Sequence, residues 1–549
     1  MPKMFLGFVC WWMLCVAWIP AWSTTWYVRT DGGTRYSAKA TKGQCDGSAD
    51  KAYPGHGVNQ PCAFSDVRYL WTDGSYTTSI AASAFPSWGW IGAGGDTYII
   101  RNGPWRVGQS GPTPKDGFGL YGDPYDAGAP APPAGSASQP TRILGEHYAN
   151  CTETNKTQLF GGYAVSSVLN LGTAYVAVEC LELTRHSDCI HFGEPADPAR
   201  CNGNYPLDDF ASEGIVTDTH TRDVLLQDLW IHGFTSRGII GPIGGLVSAV
   251  RVDIAYNGSA GWDFDDGKAT PSVNGVLKLD HTTVEWNGCN QTYPAGGAIS
   301  CYGQSSAGYG DGIGTPSHTC LSAIVTDSTF RYNTQDGLDL LHNDTGNCPI
   351  NITNSTSYGN NGAQFKWGSH STPVTFTNNT VIGNCRRLSA VMPGQRSSYN
   401  KYLQDFCRAQ DAIAINFEAG GTLLFAGNTI VSYSPTTIDI SCEGNCATST
   451  MTFKDNIVMG YDNQATYNGG GQPGGPGGFY FGARIGHIVR SNNLFFGVRE
   501  MKCPTGFPGE KCADPKFVDE PHFSKEQDLD HFNFHLSTSS PIHAGAQPH

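Results

Sequence analysis

Four aspartates and a lysine fall at matching places in successive stretches of the chain, and their types suit one kind of chemistry. The stretches read Ala260-Gly261-Trp262-Asp263, Asp311-Gly312-Ile313-Gly314, Asp336-Gly337-Leu338-Asp339 and Ala363-Gln364-Phe365-Lys366. The third position is always apolar, so it points inward. The first and fourth positions are then expected to face solvent, with glycine at the bend in three of the four. If the stretches stack, Asp311 lies beside Asp336, and Asp263, Gly314, Asp339 and Lys366 follow one another in a second column. Carboxylates about 4.8 Å apart on neighbouring strands repel, so the group needs a counter-charge. A hard divalent cation with oxygen ligands supplies it, and calcium tolerates irregular carboxylate geometry. Asp311, Asp336, Asp339 and Asp263 are therefore the candidate metal ligands, and Lys366 is the candidate base beside them. To serve, that lysine must be neutral, which proximity to a cation and partial burial favour. Arg386 and Arg387 follow on the next stretch and turn the patch basic. They stay charged and suit the clamping of an acidic ligand. A plainer reading stands beside this one: Asp-Gly turns are common on surfaces, and one exposed Lys–Asp pair is worth little.

The stacking itself is written in the middle of the chain. Short β-rich runs recur, among them Val224–Ile231, Ala249–Ile254, Val276–Leu279, Ser322–Val325, Val374–Phe376, Thr422–Phe425 and Met451–Phe453. Each leads to an Asn or Gly turn and a second short strand, and alternation in runs this short means strands. A repeat of about 22–27 residues is one coil of a solenoid. The expected architecture is all-β: a single right-handed parallel β-helix whose coils pair backbone to backbone. Asn257, Asn287, Asn333, Asn360 and Asn384 occupy one turn in successive coils, at steps of 30, 46, 27 and 24 residues. Asparagine tolerates a left-handed backbone, and its amide can bond the one above and below. The longest step holds an insertion at about 288–307, and solenoid insertions emerge as loops on one face.

Composition agrees with this and removes other classes. The chain has 549 residues, 69 of them Gly and 32 Pro, only 15% charged residues and a net charge of −14. That excludes coiled coils and charge-rich disorder. The acidic balance argues against nucleic-acid binding, because phosphate contacts want a basic surface. Residues 1–23 read as a secretory signal peptide, with Lys3 before an apolar run and small residues near Ser23. No other long apolar run exists, so the mature protein is expected to be secreted, free of the membrane and monomeric. Removing the signal takes two of 18 cysteines and leaves an even number, as an oxidising compartment favours. Close pairs are Cys45/Cys62, Cys189/Cys201, Cys289/Cys301, Cys385/Cys407, Cys442/Cys446 and Cys503/Cys512. Cys151/Cys180 and Cys320/Cys348 could bridge layers. N-x-S/T sequons stand at Asn150, Asn155, Asn257, Asn290, Asn343, Asn351, Asn354 and Asn378. Residues 24–90 lack the repeat and are expected to cap a β-helix spanning 91–500, with 501–549 capping the other end.

Asp336-Gly337-Leu338-Asp339, followed by Tyr358-Gly359-Asn360-Asn361-Gly362-Ala363-Gln364-Phe365-Lys366-Trp367-Gly368, resembles polysaccharide lyase family 9. Those pectate lyases are right-handed parallel β-helices. The resemblance implies Lys366 as catalytic base, Asp336, Asp339 and Asp311 as calcium ligands, and an acidic uronate polymer as substrate, cleaved by β-elimination. Gln335 stands where the family tends to have a further Asp, Gly314 where a second could stand, and Ala363-Gln364 interrupts the lysine motif. Two other readings remain. A glycoside hydrolase on the same fold would use paired carboxylates, with Asp263, Asp265, Asp266 and Asp439 as candidates. A β-helix that binds carbohydrate without cleaving it would need neither.

Overall fold

The structure, a computed structural model, describes residues 23–73, 89–101, 103–108, 128–162, 165–187, 211–264, 275–296, 299–301, 310–316, 319–343, 348–369, 373–383, 387–388, 411–432, 436–442, 444–460, 478–481, 485–498, 502–519, 533–541 and 545. Its regular structure is almost all strand. Among the described residues, sheets 1 and 2 have 13 strands each and sheet 3 has 10; every neighbouring pair within the three is parallel, and each strand of sheet 3 follows one strand of sheet 1 and one of sheet 2 in its coil. Val224 of sheet 1 pairs with Val247, Ile231 of sheet 2 with Ile254, and Ile239 of sheet 3 with Trp262. This is the right-handed parallel β-helix that the repeat implies. Both segments outside the repeat pair into it: Thr25–Gly33 is the first strand of sheet 1, paired with Thr97–Ile100, and Lys511–Cys512 is the last strand of sheet 2.

Alternation dictates which side chains enter the solenoid. On sheet 3, Trp262, Ile313, Leu338, Phe365, Ile413 and Ile438 stack inward and are buried. On sheet 1, the rings of Phe376, Phe425 and Phe453 stack with centroids 5.0 Å apart. The turn between sheets 2 and 3 is held by the expected asparagine column. Asn257 Nδ2 donates to Asn287 Oδ1 (2.9 Å), Asn287 Nδ2 to Asn333 Oδ1 (2.9 Å) and Asn333 Nδ2 to Asn360 Oδ1 (2.8 Å). Gln364 Oε1 then accepts from Asn360 at 2.8 Å. Asn384 lies outside the described residues. Three of the residues just before these asparagines have positive φ although they are bulky: Tyr256 (55°), Trp286 (54°) and Tyr332 (56°). Such backbone costs energy, and the buried amide ladder fixes it.

A second ladder, at the turn between sheets 1 and 2, was not anticipated. Ser328 and Ser355 lead into Asn379, Asn428, Asn456 and Asn493, each backbone N–H donating to the next side-chain oxygen. Glu510, paired with Arg490, ends it by accepting from Asn493 Nδ2 at 2.7 Å.

The outer face of sheet 2 carries a separate apolar cluster, with Trp286, Tyr332, Tyr358, Leu388, Val431, Met459 and Phe517 buried in it. Its covers include the inserted segment and the tail. The insertion forms an antiparallel hairpin, Cys289–Gln291 against Ile299–Cys301, which folds back over earlier coils. Asn290 Oδ1 accepts from the buried Arg185 Nη2 at 2.7 Å, and Tyr293 stacks on His186. Disulfides join Cys45–Cys62, Cys151–Cys180, Cys289–Cys301, Cys320–Cys348, Cys442–Cys446 and Cys503–Cys512. The other two proposed pairs, and the proposed signal up to residue 22, lie outside the described residues. No described helix is long and apolar enough to cross a membrane.

Candidate functional site

Register on sheet 3 brings the predicted residues into contact. Trp262 pairs with Ile313, Ile313 with Leu338 and Leu338 with Phe365. The outward neighbour column therefore reads Asp263, Gly314, Asp339, Lys366, Ala414, Asp439. Asp311 and Asp336 stand two residues before the inward position, at the turn. Asp311, Asp336 and Asp339 each offer a carboxylate oxygen, and these oxygens lie within 4.8 Å of one another. Lys366 Nζ reaches the group from the next coil, 2.7 Å from Asp339 Oδ2 and 3.1 Å from Asp336 Oδ2.

Solvent exposure of this group is where the sequence reading fails. Asp311, Asp336 and Asp339 are only 6%, 4% and 7% exposed. The cause is local. Each carboxylate lies down on backbone rather than standing out: Asp336 N–H donates to Asp311 Oδ1 (2.9 Å), Ala363 N–H to Asp336 Oδ1 (2.6 Å) and Leu341 N–H to Asp339 Oδ1 (2.8 Å). The backbone thus holds one oxygen of each aspartate and leaves the other for the centre.

Burial and crowding act on the titration of the group. Burial, reinforced by Asp336 and Asp339, pushes the Asp311 carboxyl well above 3.8. Burial and Asp336 push Asp339 up to about 7, against the pull of Lys366. Burial draws Lys366 down, but Asp336, Asp339 and Asp311 outweigh it, so its pKa is raised. Without a cation, the three carboxylates therefore hold this lysine as an ammonium ion, and it is itself their counter-charge.

The remaining predicted residues are placed apart. Asp263 stands two coils from Asp339 and is paired with Arg237, Nε to Oδ2 2.7 Å. A basic side chain from the preceding coil has claimed it, and the sequence column did not include that coil. Asp439, whose carboxyl burial raises, lies three coils beyond Asp339, about 14 Å at the strand spacing. That exceeds the separation of a glycosidase acid–base pair. Arg387 is half-buried, and its charge acts on the phenol of Tyr256, which puts it near the outer face of sheet 2. Arg386, Asp265 and Asp266 lie outside the described residues.

The donor set suits a hard cation. Three carboxylates converge, each already oriented by a backbone N–H, and Gly314 keeps the space beside them open: a Cβ there would come 3.0 Å from Asp311 Oδ2. Asp311, Asp336 and Asp339 would hold the ion, and Lys366 now occupies two of their oxygens.

The same burial has a measurable consequence for stability. With folded pKa values above the unfolded value of 3.8, Asp311 and Asp339 bind more protons folded than unfolded as the pH rises above about 4, Asp339 until about 7. Their contribution to stability therefore falls as pH rises through that window. Asp311→Asn keeps the acceptor for Asp336 N–H but removes one ionisation. In chelator, the melting temperature of the native protein should fall over this range, and that of D311N should fall less. Equal slopes would show that ionising Asp311 costs nothing.

No family model matches the chain, and no curated protein matches it. Among solved structures, it is similar to a rhamnogalacturonan lyase at 14% identity, over 94% of this chain and 97% of that one, with a TM-score of 0.38. It is similar to pectate lyase Pel9A at 10% identity, over 88% and 95%, with a TM-score of 0.36. It is also similar to the PL6 family alginate lyase AlyGC at 11% identity, over 78% of this chain and 52% of that one, with a TM-score of 0.37. The chain thus spans about half the length of that alginate lyase. Its chemistry has to be read from its own residues.

Proposed function

We propose that the protein cleaves an acidic, uronate-containing polysaccharide by β-elimination on the outer face of sheet 3, as a secreted, calcium-dependent lyase. One observation carries this reading: a lysine ammonium 2.7 and 3.1 Å from two of three buried aspartates that share one locus. When bound, a divalent cation would neutralise the substrate carboxylate and acidify the proton next to it. Asp311, Asp336 and Asp339 are the residues to hold it. Lys366 is the residue to take the proton, after which the 4-linked oxygen departs. The oxygens of Asp336 and Asp339 can serve Lys366 or another cation. Once they are engaged elsewhere, burial is what still acts on Lys366, and burial lowers its pKa toward that of a usable base.

Incubation with polygalacturonate, alginate and related uronate polymers tests the reading. The expected result is a rise in ultraviolet absorbance from unsaturated ends, abolished by chelator and restored by calcium. Absence of product with every uronate polymer would leave a carbohydrate-binding β-helix instead.

A second reading has its own observation. Asp339, with a carboxyl near 7, sits within 4.8 Å of two other aspartates, close to the separation of a nucleophile and acid in retaining glycosidases. New reducing ends without the unsaturated chromophore, indifferent to chelator, would favour that hydrolase over the lyase.

A further inference from the structure

The sequons divide sharply once the fold is known. Asn257, Asn290 and Asn343 are at most 1% exposed, and their amide nitrogens are spent inside the protein. Asn257 donates to Asn287, Asn290 to the carbonyls of Gly233 and Phe234, and Asn343 to the carbonyl of Leu321. Asn155 Nδ2 is turned back onto the carbonyl of Asn150. Asn351 differs. It stands exposed in the strand Ile350–Thr353, on the outer face of sheet 1. The hydroxyl of Thr353, the third residue of its sequon, donates to its Oδ1 at 3.0 Å.

Its neighbours give the position a purpose. In the outward column of sheet 1, Ile324 pairs with Asn351, Asn351 with Thr375 and Thr375 with Leu424. Ile324 and Leu424 are 38% and 37% exposed, and Val489, further along the same column, is 60% exposed. These three exposed aliphatic side chains share one outer face, with Asn351, Thr375 and Thr452 between them in the column, and exposed aliphatic side chains gathered on one face are an association hazard. Asn150 and Asn378 are also exposed, but Asn351 is the one that shares a column with Ile324, Leu424 and Val489. Six disulfides among the described residues fit a chain made in an oxidising secretory compartment.

We propose that Asn351 is an N-glycan acceptor and that its glycan covers the exposed Ile324, Leu424 and Val489 on the outer face of sheet 1, on a face of the solenoid separate from the aspartate–lysine site. In the transfer, Nδ2 of Asn351 bonds to the anomeric carbon of an oligosaccharide carried on a polyprenyl diphosphate. The bond from that carbon to the diphosphate oxygen breaks, the diphosphate leaves with the electron pair, and the amide gives up one proton.

The full chain, secreted from cultured yeast, is digested after amidase deglycosylation in 18O-labelled water and mapped by mass spectrometry. Label is expected at Asn351 and absent at Asn257, Asn290 and Asn343. N351Q should lose one glycan, keep the native melting temperature and bind more of a hydrophobic dye. T353S should keep the glycan and T353V should lose it. Unlabelled Asn351 in the secreted, folded protein overturns the proposal. Label at the three buried positions of folded protein overturns the sorting on which it rests, and unchanged dye binding by N351Q overturns the covering role.

Discussion

Lys366→Met is expected to lower turnover of a uronate polymer by about 10²–10⁴-fold, the usual contribution of a positioned base. Lys366→Arg should be nearly as damaging. A guanidinium can keep the ion pairs to Asp336 and Asp339, but it does not give up its proton in proteins. That contrast separates a base from a structural counter-charge. If the lysine only balances the aspartates, K366R retains activity and K366M alone fails; if it takes the proton, both fail. Initial rates of unsaturated-product formation, at saturating calcium, decide between them. K366M should also destabilise the cation-free protein, since the aspartates lose their partner. The loss should stay below the about 3–5 kcal/mol of a broken, fully buried pair, because Asp339 can take up a proton instead. Added calcium should recover most of it.

Asn333→Ala is expected to cost about 3–5 kcal/mol of stability. Asn333 is fully buried and sits mid-ladder. Its Oδ1 accepts from both the backbone N–H and Nδ2 of Asn287, at 3.0 and 2.9 Å, and its Nδ2 reaches Val284 O and Asn360 Oδ1. Truncation strands these groups away from water, at about 1–3 kcal/mol for each one left unsatisfied. It also removes the bonds that secure the positive φ of Trp286 and Tyr332. Asp336 lies three residues on, so the carboxylates should lose their register with it. Chemical denaturation should show a lower midpoint, and calorimetry a weaker affinity for calcium. A midpoint within experimental error of the native one would mean that the ladder ornaments the turn rather than holding it.

The solenoid was legible because its physics is local and repeated. Inward Trp262, Ile313, Leu338 and Phe365 alternate with polar neighbours in every coil, and Asn257, Asn287, Asn333 and Asn360 recur beside them. Contact between Asp311, Asp336, Asp339 and Lys366 followed from counting back to that column. Burial of the aspartates did not, because it depends on backbone N–H groups of Asp336, Ala363 and Leu341 that no side-chain pattern displays. Nor did the balance at Lys366 without a cation, where three close carboxylates outweigh burial. Asp263 stands outside the cluster because Gly314 separates it from Asp339 and Arg237, from the coil before it, pairs with it. The second ladder did leave a trace, in Asn378-Asn379, Gly427-Asn428, Asp455-Asn456 and Asn492-Asn493. Each pair joins a turn residue to an asparagine ahead of a short apolar strand. Its serine members hid the register.

A stack of coils has nearest-neighbour energetics, so it can fray from an end one layer at a time. The Cys289–Cys301 hairpin breaks that rule. Through Asn290 and Tyr293 it grips Arg185 and His186, which belong to a coil made more than a hundred residues earlier. The coils between them, those of Ile231 and Ile254, are clasped from outside. Peeled from its first strand, the molecule would come apart layer by layer and then meet a block that must yield together. The clasp lies just upstream of the aspartates, so unravelling from the first strand would halt before it reached the site.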